Sequence, residues 1–165
     1  MTRKKNTNKN DVIKECYEIE VKDWEVSCHF GINIAPKDLI PGVYWEGSTL
    51  ILTGGIISPL LDKANRAVIQ MTADPQLDDH WQPKPTIISA KAIGWMEIPR
   101  GDDRVIFNCS VPSQSLLFIA IAIQAGKIKY VSISGTKLKW RRGTISGINL
   151  SAHRDSECQP KIDHL

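Results

Sequence analysis

The 165-residue chain has no C-x-x-C pair, no G-x-S-x-G turn and no glycine loop of the phosphate-cradling kind. These gaps remove the clearest signals for a thiol-redox centre, an α/β-hydrolase nucleophile and a nucleotide site. Long apolar runs are also missing. The best stretch, "LLFIAIAIQA" (116–125), falls far short of the ~20 residues a membrane helix needs. The start, "MTRKKNTNKN", is cationic, but no apolar run follows it, so no export signal is expected. That points to a cytoplasmic location and to free thiols at Cys16, Cys28, Cys109 and Cys158.

Histidine is scarce as well, with four in the chain. His29 falls on the wet side of a strand pattern, His80 in a loop, and His153 and His164 at the C-terminal end. None stands in a pattern with Ser or Cys that would suggest nucleophilic catalysis. No catalytic residue, cofactor or metal ligand is therefore expected, and an enzyme or small-ligand module with a site assembled from distant strands is the reading ranked last. The nearest approach to a metal cluster is Asp74, Asp78, Asp79 and His80, which lacks the glycine turn and distal Glu of a calcium loop. Arg100-Gly101-Asp102 matches the tripeptide recognised by integrins, but without an export signal it reads as a chance feature of a turn.

What is present suits one ordinary domain. Hydrophobic residues make up 42% and charged residues 24%, both usual for a globular chain. A domain of this length buries roughly 70% of its unfolded surface and needs no staple. The net charge of +3 is concentrated at one end. Arg3, Lys4, Lys5 and Lys9 stand in the first ten residues without an acid, which leaves the rest of the chain at −1. Residues 1–11 read as a disordered basic arm, 12–152 as a single β-rich domain and 153–165 as a loose tail.

Most of the pattern has a period of two. In "YEIEVK", Tyr17, Ile19 and Val21 share one face, and Glu18, Glu20 and Lys22 the wet one. In "DWEVSCHF" the apolar set moves to Trp24, Val26, Cys28 and Phe30, so a bulge or bend is expected near Lys22-Asp23. Cys28 and Cys109 read as small core residues, and Trp24 and Trp95 as core aromatics. "PGVYWEGSTLILTGG" reads as two strands about a turn at Glu46-Gly47-Ser48, with Gly54-Gly55 a kink or an end. Ala67, Ile69 and Met71 form an inward row, and so do Val105, Phe107, Cys109 and Val111, with "PRGDD" a hairpin turn before the latter. "PSQSLLFIAIAIQAG" is the helix candidate, with Ser113 as cap and Gly126 as the terminating glycine, although Ile119 to Ile123 also alternate large and small as a strand would. The last block, "KIKYVSISGTKLKWRRGTISGINLS", reads as three strands divided at Ser134-Gly135-Thr136 and Arg142-Gly143.

The expected fold is mainly β: an antiparallel sandwich or open barrel of about nine short strands with one buried helix. The expected function is that of an interaction module, binding a protein partner or a second copy, with Trp45 and Trp81 as contacts. The alternative is nucleic-acid binding through Arg3, Lys4, Lys5, Lys9, Lys137, Lys139, Arg141 and Arg142. Within "GTKLKWRRG" the alternation turns Leu138 and Trp140 inward. It leaves Lys137, Lys139 and Arg141 as a basic row, with Arg142 at the turn.

Overall fold

The structure is a computed structural model that describes residues 14–33, 43–62, 64–74, 77–78 and 92–155. Among these residues, seven strands and one helix follow in the order β1 (Lys14–Asn33), β2 (Val43–Ser58), β3 (Arg66–Ala73), β4 (Gly94–Glu97), β5 (Arg104–Val111), α1 (Ser113–Gln124), β6 (Tyr130–Thr136) and β7 (Arg142–Ser151). The strands close into a barrel in the ring order β1-β2-β3-β5-β4-β7-β6. All neighbours are antiparallel except β3 and β5. One exception is unavoidable, because an odd-numbered ring cannot alternate strand direction all the way round. The mainly-β class with one helix is as expected. The sandwich, the open barrel, the nine strands and the purely antiparallel pairing are corrected to a closed seven-stranded barrel among the described residues.

Each strand contributes to the core by alternation. Tyr17, Ile19, Leu50, Leu52, Ile69, Met71, Met96, Phe107, Ile133 and Ile145 are fully buried inside the barrel. Tyr17 and Phe107 meet edge to face at 5.8 Å. The Tyr17 hydroxyl donates to Glu15 Oε2 at 2.6 Å and accepts from the Leu138 N–H at 3.2 Å. Burial, then the Glu15 carboxylate, pushes its pKa well above the usual tyrosine range. Cys109 is buried as expected, and burial raises its thiol to about 11. The rows at 67–71 and 105–111 also face inward as expected.

The bulge falls where the sequence put it. Val21 faces Gly54 and Asp23 faces Thr53, which leaves Lys22 without an opposite residue. The pairing then runs unbroken to Asn33, so β1 and β2 are each one long strand. The expected turn at Glu46-Gly47-Ser48 is corrected, since those residues lie inside β2. Gly54-Gly55 does not end the strand either. Gly54 is required there by close approach, because a Cβ would stand 2.0 Å from the Glu20 carbonyl oxygen. The final block holds two strands, not three, and its turn is at Trp140-Arg141.

Helix α1 spans the expected segment. Gly126 takes φ +66°, and the N–H groups of Gly126 and Lys127 reach Ile123 O and Ala122 O at 2.8 and 2.9 Å. Ser113 is not the cap. Pro112 takes the cap position, and the Ser113 N–H donates to Asp78 Oδ1 at 2.8 Å. An acid from a distant loop thus satisfies one of the helix's spare donors and faces its positive end. Asp79 and His80, its neighbours in the acidic cluster, lie outside the described residues.

Two further expectations are corrected. Glu18, assigned to the wet face, is fully buried. Its Oε2 accepts from Arg154 Nε at 3.0 Å and Nη2 at 2.6 Å, and its Oε1 accepts from the Asp155 N–H at 3.1 Å. Residues 153–155 are therefore held against β1 and are not loose. Cys16 is disulfide-bonded, while Cys28 and Cys109 are free, so the four thiols are not all reduced.

Candidate functional site

The open part of the molecule lies beyond the bulge. β1 pairs with β6 only from Lys14 to Glu20, and β2 pairs with β3 only from Thr49 to Gly55. Cys28–Asn33 and Val43–Ser48 pair with each other and, among the described residues, with nothing else. The β1–β2 pair therefore continues as a two-stranded arm beyond its pairing with β6 and β3.

Its even-numbered face continues the core face of β1, since Trp24 and Val26 stand opposite the buried Leu52 and Leu50. The arm outruns the barrel contents, and this face meets water. Trp24 is 39%, Val26 40% and Phe30 69% exposed, and Cys28 is exposed too. Trp24 and Cys28 are thus corrected from core residues to surface ones.

Helix α1 borders the same face. Val26, Cys28, Gly47, Ser48, Leu116 and Leu117 line a cleft of about 280 Å³ between arm and helix. The helix packs Leu116 and Ile123 onto the barrel, chiefly against β2 and β3. Its other side carries Leu117, Phe118 and Ile121 at 60, 67 and 54% exposure. The expectation of a buried helix is corrected to a half-buried one with an apolar outer row. A helix apolar on all sides is ordinarily enclosed. Burying a Phe side chain fully is worth about 1.5–3 kcal/mol, so this surface can hold a complementary apolar one.

A second site candidate stands at the β6–β7 turn. The Lys139 N–H reaches Arg142 O at 2.8 Å, and the Arg142 N–H reaches Lys139 O at 3.0 Å. The two residues between, Trp140 and Arg141, take φ of 53° and 69°. This pattern of two positive φ values belongs to the tight hairpin turn that usually recruits Asn-Gly. A tryptophan there is strained, and strain of this kind gathers at functional positions. Trp140 is 86% exposed, which corrects its inward assignment. Strand alternation fails because 137–141 is a turn and not a strand.

The cations around it divide by role. Arg141 turns its guanidinium back onto the barrel, with Nε donating to Ile98 O at 2.9 Å and Nη2 to Pro99 O. Lys137 stands 4.0 Å from Glu15, and Arg142 3.4 Å from Glu97. Lys139 is exposed beside Trp140. Trp95 is 47% exposed, a further correction, because the inward residue of β4 is Met96. Trp95, Glu97 and Arg142 share an open hollow of about 460 Å³ near the turn. Replacing Trp140 with Asn should raise stability by about 1 kcal/mol, since it removes strain and no burial. Thermal unfolding should shift up by roughly 3 °C in a chain of this size. An unchanged or lowered midpoint would refute the strain argument.

The remaining expected contacts are placed unevenly. Arg3, Lys4, Lys5, Lys9 and Trp81 lie outside the described residues. Trp45 lies in β2 opposite Gly31, with its side chain outside the described set. Asp102 of the Arg-Gly-Asp tripeptide is occupied. Its carboxylate accepts from Arg104 Nε at 2.9 Å and Nη2 at 2.6 Å, and that pairing holds its pKa down at about 2. Ser132, opposite Glu18 on β6, is buried with no hydrogen-bond partner for Oγ among the described residues.

The apolar row on α1 and the outer half of β1 are the features that sequence reasoning missed. The near-continuous apolar composition of α1 was visible, but composition does not say whether a face is covered by the same chain. No protein-family model, curated protein or solved structure matches this chain.

Proposed function

We propose that the chain is a β-barrel interaction module that binds protein through the apolar surface shared by the arm and α1. One observation carries the reading. Six large apolar side chains, Trp24, Val26, Phe30, Leu117, Phe118 and Ile121, are 39–69% exposed on two elements that border one cleft. Single exposed apolar residues are normal, whereas a grouped set marks a docking surface. Among the described residues no helix is long and apolar enough to cross a membrane, and no group of three or more His, Cys, Asp or Glu is placed to hold a metal.

The test is a paired substitution, Phe30→Asp with Phe118→Asp. Both residues are mostly exposed, so the melting temperature should stay near that of the wild type. Association, read by sedimentation and by recovery of partner from native extract, should weaken at least about tenfold. A wild-type chain that stays monomeric at high concentration and recovers no partner would overturn the proposal.

A second reading is favoured by Trp140. An exposed ring next to Lys139 and Arg142 suits a stacked base with its phosphate. On that reading Trp140→Asn, the stabilised variant, should lose retention of single-stranded RNA or DNA at low salt. Wild-type protein that shows no retention at low salt would remove it.

A further inference from the structure

We propose that the partner of the arm is a second copy of this chain, joined by antiparallel pairing of β1 with the partner's β1 about a two-fold axis at Ser27. The inference rests on the interaction-module reading and names its occupant. It starts from an open edge. The pairing of β1 with β6 ends at Glu20, and the last bond on that side is from the Val21 N–H to Lys129 O. From Lys22 to Asn33 that edge of β1 meets no other strand among the described residues. Edges of this length are normally shortened, broken by proline or given inward charges to prevent pairing. This one has no proline, and its core-side face carries Trp24, Val26, Cys28 and Phe30.

The sequence of the edge is complementary to itself in one register. A two-fold axis makes every contact occur twice, so residue i opposite j also sets j opposite i. With the axis at Ser27, Trp24 meets the partner's Phe30 and Val26 meets the partner's Cys28. On the other face, Glu25 meets the partner's His29. Aromatic pairs and acid–imidazole pairs directly across a ladder are the stabilising kinds. Neighbouring registers lose this match. An axis at Glu25 sets two carboxylates opposite each other, an axis at Val26 sets Trp24 against Cys28 and Lys22 against Phe30, and an axis at Cys28 sets Glu25 against Gly31. The Ser27 axis opposes no like charges.

The register also explains the exposed rows. Joining two arms makes a four-stranded sheet, β2-β1 with the partner's β1-β2, whose apolar side continues past the cleft at α1. Leu117 already lines that cleft beside Val26. The two exposed aromatics of β1, Trp24 and Phe30, cover each other's outer ring faces twice across the axis. Stable interfaces need about 1,200 Å² or more of buried surface in total. The ladder and both apolar rows contribute to it together.

Cross-linking reads the register directly. In Val26→Cys, the new thiol stands opposite the partner's Cys28, so mild oxidation should give a covalent dimer on a non-reducing gel. The dimer should vanish when Cys28→Ser is added. Wild-type protein should cross-link poorly, because its Cys28 faces the partner's Val26. Efficient wild-type cross-linking through Cys28 would overturn this register in favour of an axis at Cys28. Sedimentation separates this proposal from the broader one. Val26→Lys places a charge on the edge and should weaken the dimer at least about tenfold. If the chain dimerises, loses the dimer with Phe118→Asp and keeps it with Val26→Lys, the edge pairing is wrong and the apolar surface still binds. If the wild type is monomeric at high micromolar concentration, the second copy is excluded as the occupant.

Discussion

Gly94→Ala should cost about 3 kcal/mol or more, read as a fall in the urea midpoint without a change in slope. A Cβ built at Gly94 lies 1.9 Å from the Asn108 carbonyl oxygen and 2.9 Å from its carbon. Both atoms are backbone, so no side chain can rotate away, and β4 would have to part from β5. β4 has four residues and stands between β5 and β7 in the ring. Parting it opens the barrel over Met96 and Phe107, which are fully buried. Gly47→Ala supplies the control, because nothing lies within 4 Å of a Cβ there. It should change stability by less than about 0.5 kcal/mol. If both variants unfold alike, the close approach at Gly94 is not what holds β4 in place.

Arg154→Ala should lower stability measurably, because it leaves the buried Glu18 carboxylate without its guanidinium partner. Glu18 is fully buried and would keep only the Asp155 N–H, whereas the Arg154 side chain is 43% exposed and is partly screened by water. Replacing both residues, as Glu18→Leu with Arg154→Leu, should cost far less than the sum of the single changes. The reason is that no buried charge is then left alone. A double-mutant cycle by urea unfolding measures the coupling. Additive costs would mean that the bond does not fasten residues 153–155 to β1.

The barrel interior was legible in the sequence because a half-buried strand alternates, and the rows at 67–71 and 105–111 do so cleanly. The bulge at Lys22 was legible for the same reason, as a change of parity inside one strand. Ring closure was not legible, because alternation reports which side of a strand is dry and not which strand lies beside it. The same limit accounts for Trp24, Cys28 and Phe30. Their alternation is that of a core strand, but β1 is 20 residues long and extends past the contents of the barrel. Glu18 was misread because its cover comes from residues 154–155, far along the chain. Trp140 was misread because residues 137–141 form a turn, where strand alternation does not hold, and Arg141 bonds back to Ile98 O and Pro99 O. Of the two proposed surfaces, the basic residues were visible one by one. The apolar surface existed only once arm and helix were placed together.

The pairing of β1 with β6 has a consequence for synthesis. Lys14 is opposite Thr136, so the first strand finds its second neighbour only after most of the chain has left the ribosome. Until then Tyr17 and Ile19 have no complete enclosure, and the β1–β2 pair must wait as an open ribbon. Closure joins segments more than a hundred positions apart, which predicts slow folding and a nascent chain dependent on chaperones. An arrest point placed before β6 should leave the nascent barrel sensitive to protease, and one placed well after Asp155 should leave it resistant.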